Sequence, residues 1–259
     1  MLARIAERER SVMGKLEGKV AVVTGAGSGM GRASALLFAE EGAKVVCADV
    51  SGHEEAAADE IGKAAIAVHT DVAKSDDVQN MIDAAVTAFG RLDVLFNNAG
   101  LSGPHILLED TDDDVLDRLY SVNLRGVFLG MKYAIPALRA SGGGSIISTA
   151  SAMGLVGRGE QAAYGATKGG VVALTKNAAV DYAHENIRIN CICPGMIYTG
   201  MAGASADNTD SVPDRQMPVP MRRYGSAREI ATAALFLASD DSSYITGVAL
   251  PVDGGYVAE

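Results

Sequence analysis

The chain has 259 residues, a length that suits one large α/β domain, and 48% of them are hydrophobic, ample for a single well-buried core. Acidic residues outnumber basic ones 32 to 22, and the resulting net charge of −10 argues against nucleic acid or an anionic membrane as partner, since both select basic surfaces. The longest apolar runs, such as Val20–Val23, are strand-sized and far short of the roughly 20 residues a bilayer requires.

Residues 1–15 mix Arg and Glu without an apolar stretch, so they do not form a secretory signal. They read as a poorly ordered arm ahead of one domain spanning 16–259 in a cytoplasmic protein. Short β-branched runs then alternate with longer segments of helical spacing. Strands are expected at Val20–Thr24, Val45–Asp49, Ala64–Thr70, Val94–Asn97, Ser145–Thr149, Ile187–Ile192 and Val248–Val252. Helices are expected at 29–41, 54–62, 75–89, 112–140, 162–184 and 226–239, with Thr111 and Asp114 as a capping-box variant and Gly42 as a stop. Strands apolar on nearly every residue must be covered on both faces, which makes the fold class α/β, a doubly wound parallel sheet between helices. Ligands of such sheets sit beyond the C-terminal ends of the strands, so candidate residues are sought there.

Strand one runs into Thr24-Gly25-Ala26-Gly27-Ser28-Gly29-Met30-Gly31 and then a helix. Glycines permit a tight turn and close backbone approach to a pyrophosphate, and the helix N-terminus adds free N–H groups for its charge. Asp49 ends the second strand, 18 residues past Gly31, with no Arg or Lys directly after it. A carboxylate there accepts from both adenosine ribose hydroxyls and repels a 2′-phosphate, which favours NAD over NADP; the competing role is a helix cap. Asp71-Val72 follows the third strand and Asn98-Ala99-Gly100 the fourth. Each alone is compatible with an ordinary turn, and their recurrence at successive strand ends makes them a set.

Tyr164 and Lys168 lie four apart on one helix face. Tyrosine, with its ordinary pKa of about 10, is a poor base at neutral pH, and a nearby ammonium together with oxidised nicotinamide stabilises the phenolate. Taken alone, the pair is as compatible with coincidence. Ser151 stands just after the fifth strand and 13 residues before Tyr164, where a hydroxyl can steady a reacting oxygen; Ser148 and Thr149 compete for that role. Asn123 falls inside an expected helix, where Asn is unfavourable, either in solvent or tied to a backbone carbonyl, a water and Lys168. Cys47, Cys191 and Cys193 form an odd set within strands and read as buried, inert thiols. With the four histidines scattered, no metal site is expected.

Together these residues resemble the short-chain dehydrogenase/reductase family over nearly the whole chain, from about Leu16 to Tyr256. Its motif T-G-x-x-x-G-x-G matches Thr24–Gly31, N-N-A-G matches Asn97–Gly100, and P-G-x-x-x-T matches Pro194–Thr199. The resemblance implies a Rossmann-type sheet of about seven parallel strands and a catalytic tetrad at Asn123, Ser151, Tyr164 and Lys168. It also implies nicotinamide contacts from Ile197 and Thr199, further cofactor contacts from Tyr164, Lys168, Pro194 and Gly195, and a homotetramer with the helices of Asn123 and Tyr164 between subunits.

The function expected is hydride transfer between NAD and a secondary alcohol or ketone. Met153, Leu155 and Met201 suggest an apolar pocket for a cyclic or hydrophobic substrate, though methionines serve equally as core filler. His105 either reaches substrate or stands solvated in its loop. The segment from Gly200 to Tyr224 reads as a lid. Two alternatives stay open. One is an NADPH-dependent 3-oxoacyl-[acyl-carrier-protein] reductase, kept alive by Arg222 and Arg223; the other is a nucleotide-sensing protein without turnover.

Overall fold

The computed structural model describes residues 14–199 and 219–258. The expected arm, apart from Gly14 and Lys15, falls outside them, as do Met201, Met217 and most of the expected lid. Lys15 itself is held on the body, its backbone N–H donating to Glu41 and its ammonium pairing with Asp241.

In chain order the elements are β1 (Val20–Thr24), α1 (Gly29–Glu40), β2 (Lys44–Asp49), α2 (Glu54–Ile61), β3 (Ala65–His69), α3 (Ser75–Phe89) and β4 (Val94–Asn97). There follow α4 (Asp113–Leu119), a π-helical turn (Tyr120–Arg125), α5 (Gly126–Ala140), β5 (Gly144–Thr149), α6 (Ala162–Tyr182) and β6 (Ile187–Pro194). Two short strands, β7 (Ile197–Tyr198) and β8 (Gly225–Ser226), precede α7 (Ala227–Ala238) and β9 (Ala249–Val252).

Seven strands form one sheet in the order β3-β2-β1-β4-β5-β6-β9, every pair parallel. Every residue of β1 and β4 is buried, as strands covered on both faces require. At the sheet edges, β3 is only partly covered and β9 accommodates Pro251, a residue that central strands exclude. One face packs on α3, α5 and α6, and the other on α1, α2 and α7. In α3 the buried residues Val78, Met81, Ile82 and Ala85 recur at helical spacing, giving one apolar stripe. The strand order reverses between β1 and β4, which opens a crevice at their C-terminal ends.

Two local expectations need correction. The stretch 112–140 is not one α-helix, because the π-turn interrupts it. Thr111 does not cap α4: its hydroxyl donates to the Leu107 carbonyl, 2.9 Å away, and Asp112 stands at the N-cap without a side-chain bond. A reciprocal capping box forms instead at α7, between Ser226 and Glu229. The pair β7–β8 was not expected. It joins Ile197 to Gly225 and Tyr198 to Ser226, fixing the chain on either side of residues 200–218.

Candidate active site

The crevice is shaped first by backbone. Gly25 and Gly29 adopt φ of +69° and +50°, a region that side chains resist. Gly31 is needed for close packing: a Cβ there would lie 2.0 Å from the Gly25 carbonyl oxygen and 2.6 Å from Asn98 Nδ2. The Thr24 hydroxyl accepts from the N–H groups of Asn98 (2.9 Å) and Ala99 (3.0 Å), while Asn98 Nδ2 donates back to the Thr24 carbonyl at 3.1 Å. Thr149 Oγ1 donates to Asn98 Oδ1 at 3.2 Å. One threonine–asparagine clamp thereby locks the ends of β1, β4 and β5.

Asp49 closes this end. Its Oδ2 accepts from Gly27 N–H at 2.9 Å, and its Oδ1 from Val50 (2.8 Å) and Ser51 (3.0 Å). The carboxylate is therefore a fixed acceptor on the wall of the cleft, and it bonds the turn before α2 rather than capping that helix. The cleft measures about 630 Å³ and is lined by Gly25, Ser28, Gly29, Met30, Asp49, Asp71, Val72 and Asn98–Gly100, among others. It runs into a second cavity of about 340 Å³ through shared walls at Met30, Asn98, Gly100, Leu101 and Thr199. Two adjoining cavities, with glycines at one end and a carboxylate fixed on the wall, fit a dinucleotide.

Ser151, Tyr164 and Lys168 meet in the second cavity, together with Pro194, Gly195 and Ile197. Lys168 is 3% exposed, and its ammonium donates to the Thr149 carbonyl at 2.8 Å. Burial brings its pKa down to about 8, against smaller opposing effects of Cys193 and Cys191. Lys168 Nζ lies 5.8 Å from the centre of the Tyr164 ring. Burial pushes the Tyr164 phenol above its ordinary value, and a hydrogen bond with Ser151 works in the opposite direction. Asn123 is fully buried within the π-turn, where Oδ1 accepts from Leu101 N–H at 2.7 Å and Nδ2 donates to the Leu101 carbonyl at 2.9 Å. It braces the loop after β4, and the solvent-facing alternative is ruled out.

The family model described as enoyl-(acyl carrier protein) reductase matches residues 25–257. The chain is 42% identical to levodione reductase of Leifsonia aquatica over 254 residues, 93% of this chain and 94% of the relative. It belongs to the short-chain dehydrogenase/reductase family. A second relative of this short-chain oxidoreductase is cis-4-hydroxycyclohexanecarboxylate dehydrogenase of Sinomonas cyclohexanicum, 42% identical over 244 residues, 93% of this chain and 97% of the relative. Among solved structures, 3-ketoacyl-(acyl-carrier-protein) reductase from Brucella melitensis complexed with NADH superposes with a TM-score of 0.86 at 40% identity, covering 93% of this chain and 99% of that one. The family uses nicotinamide cofactors.

In this short-chain dehydrogenase/reductase the expected site residues line one cavity or the other except Gly31, which packs beneath the turn, and Asn123, which acts behind the wall. Ser148 is fully buried, and Thr149 spends its hydroxyl and carbonyl on Asn98 and Lys168, so Ser151 is the strand-end hydroxyl presented to the cavity. Met153 and His105 line the cavity, whereas Leu155 lines an adjoining surface pocket that shares Met153, Arg158 and Gln161 with it. Arg118 in the cleft and Met196 in the second cavity were missed by sequence reasoning, and Arg158, Gln161 and Tyr224 also line the second cavity. Cys47, Cys191 and Cys193 are free and buried, and among the described residues no group of three His, Cys, Asp or Glu is placed to hold a metal. None of the described helices is long and apolar enough to cross a membrane.

Proposed function

We propose that the chain is an NAD-dependent dehydrogenase of secondary alcohols, equally a reductase of the corresponding ketones, acting on a cyclic or hydrophobic substrate. The observation that carries this reading is the meeting of Ser151, Tyr164 and Lys168 in a cavity continuous with a cleft that presents the Asp49 carboxylate. Bound nicotinamide supplies or accepts the hydride. Gly25, Ser28, Gly29, Met30 and Asp49 hold the adenosine and pyrophosphate side, with Asp71, Val72 and Asn98–Gly100 along the walls. Pro194, Gly195, Ile197 and Thr199 hold the nicotinamide side.

In ketone reduction the Tyr164 phenol gives its proton to the carbonyl oxygen, and in alcohol oxidation the phenolate takes it back. The Ser151 hydroxyl donates to the same oxygen and steadies its developing negative charge. Lys168, anchored on Thr149, places positive charge beside the phenol and lowers the cost of phenolate formation in a buried setting. Asn123 holds the Leu101 backbone that borders both cavities. The apolar contributions of Leu101, Met153, Met196 and Ile197 suit a ring, and one relative is named for a hydroxycyclohexanecarboxylate. Exposed Leu116, Tyr120, Phe128 and Val180 along α4–α6 support the homotetramer as part of the same reading.

A second reading, a 3-oxoacyl-[acyl-carrier-protein] reductase, is favoured by the likeness to the Brucella melitensis reductase. Against it, Arg223 is spent on a bidentate pair with Glu229, and the Asp49 carboxylate on the cleft wall counts against its NADPH-dependent form. The direct test is turnover of cyclohexanol with NAD by the wild type and by Tyr164→Phe. The variant is expected to lose about 10³-fold or more in kcat while binding NADH unchanged; full turnover by it would remove Tyr164 from the proton-transfer role.

A further inference from the structure

An exposed arginine with no acidic partner among the described residues lines the second cavity, in a chain whose net charge is −10. Most described arginines are engaged: Arg32 with Glu60, Arg91 with Asp93, Arg139 with Glu185, Arg223 with Glu229 and Arg228 with Glu40. Arg125 and Arg188 are held by backbone carbonyls, Arg188 also by the Ser242 hydroxyl. Arg158 makes no ion pair or hydrogen bond with the described residues, yet it lines the cavity that contains Ser151 and Tyr164. No Asp or Glu contributes to the described lining of that cavity.

The loop that carries Arg158 is tied to the opposite wall. Ile106 N–H donates to the Glu160 carbonyl at 3.0 Å, and Gln161 Nε2 donates to the Pro104 carbonyl at 3.1 Å. These bonds join the two loops on either side of the cavity mouth and place His105 and Arg158 on the same lining. Lys168, the other cationic side chain of that lining, is buried and donates to the Thr149 carbonyl. Arg158 is therefore the charge available to a bound molecule, and arginine presents a planar fork that matches a carboxylate.

We propose that this cavity selects alcohols and ketones that bear a carboxylate, with Arg158 recognising the anion while the reacting carbon lies at Ser151 and Tyr164. The proposal rests on the dehydrogenase reading above and adds the substrate class. Its small volume, about 340 Å³, sits at the lower end of ligand pockets and suits a single ring with a short acidic substituent.

The test measures calorimetric binding of 4-oxocyclohexanecarboxylate, its methyl ester and cyclohexanone to NADH-loaded protein, in the wild type, Arg158→Met and Arg158→Lys. The acid is expected to bind about fivefold or more tightly than the ester in the wild type, as for a charge-assisted bond at a partly wet site. Arg158→Met should reduce that preference to less than about twofold, Arg158→Lys should keep part of it, and added salt should weaken it. Equal binding of acid and ester, a preference that survives Arg158→Met, or no binding of any of the three overturns the proposal. Turnover of the same compounds separates the two layers. Reduction of cyclohexanone without an advantage for the acid leaves the dehydrogenase reading standing and removes the anion site. Arg158-dependent binding of the acid with no turnover of any ketone removes the dehydrogenase reading instead.

Discussion

Two glycine-rich stretches border the same site and obey different constraints. In Gly25–Gly31 two glycines sit at positive φ, and a methyl on Gly31 would press into the Gly25 carbonyl. In Gly157–Gly159 a Cβ added to either glycine meets nothing within 4 Å. The cofactor end is determined by backbone packing and tolerates almost no variation. The loop of Gly157–Gly159, placed at the substrate end in the proposal above, leaves room for side chains at both glycines and carries Arg158. That difference explains why a cofactor class can be inferred from motif spacing while a substrate cannot.

The sharpest way to break this comparison is Gly31→Ala. It should destabilise the fold by about 3 kcal/mol and weaken NADH binding by roughly 100-fold, as read by urea unfolding and nicotinamide fluorescence; unchanged affinity would mean that the turn is not over-determined.

Lys168→Met comes next, with effects of opposite sign on activity and stability. Turnover should fall by about 10²-fold or more. Because the folded pKa of Lys168 is lowered to about 8, its unfolded form binds more protons between that pH and the ordinary lysine range, and stability rises with pH across this window. Below pH about 8 the buried cation burdens the fold. The Met variant should accordingly melt higher than the wild type at pH 7 and show a smaller gain near pH 10, and wild-type ketone reduction should decline as pH climbs through about 8. A Met variant that is less stable at pH 7 would show that the bond to Thr149 outweighs desolvation.

Smaller still is the loss expected from Thr24→Val, which strands the N–H groups of Asn98 and Ala99 and should cost about 2 kcal/mol in chemical unfolding. At the other end, Gly157→Ala should stay within about 0.5 kcal/mol of the wild type, and a larger loss would show that the substrate loop is as constrained as the cofactor turn.

The sheet was legible because its central strands are continuous β-branched and apolar runs, and the helices on its faces carry stripes at helical spacing. Asp49, Ser151, Tyr164 and Lys168 were legible because strand ends and a four-residue spacing place them. Asn123 stood out as unfavourable within the expected helix, but nothing in the sequence marked the change from α to π geometry around it. The clamp from Thr24 to Asn98 joins residues 74 apart in sequence, and only the pairing of β1 with β4 brings them together. Strands of two residues, as in β7 and β8, are too short to show a period. Arg158 carries no signal in its own neighbourhood, because the bonds that tie its loop to the opposite wall, at Ile106 and Gln161, span more than 50 residues of sequence.

The central claim is that the cleft is built for a dinucleotide without a phosphate on its adenosine ribose. It is tested most directly by titrating the protein with NADH and NADPH and following nicotinamide fluorescence. The account expects NADH to bind at least about tenfold more tightly, a difference of roughly 1.4 kcal/mol set by the Asp49 carboxylate. Equal affinity, or a preference for NADPH, would contradict it and bring the 3-oxoacyl reductase reading to the front.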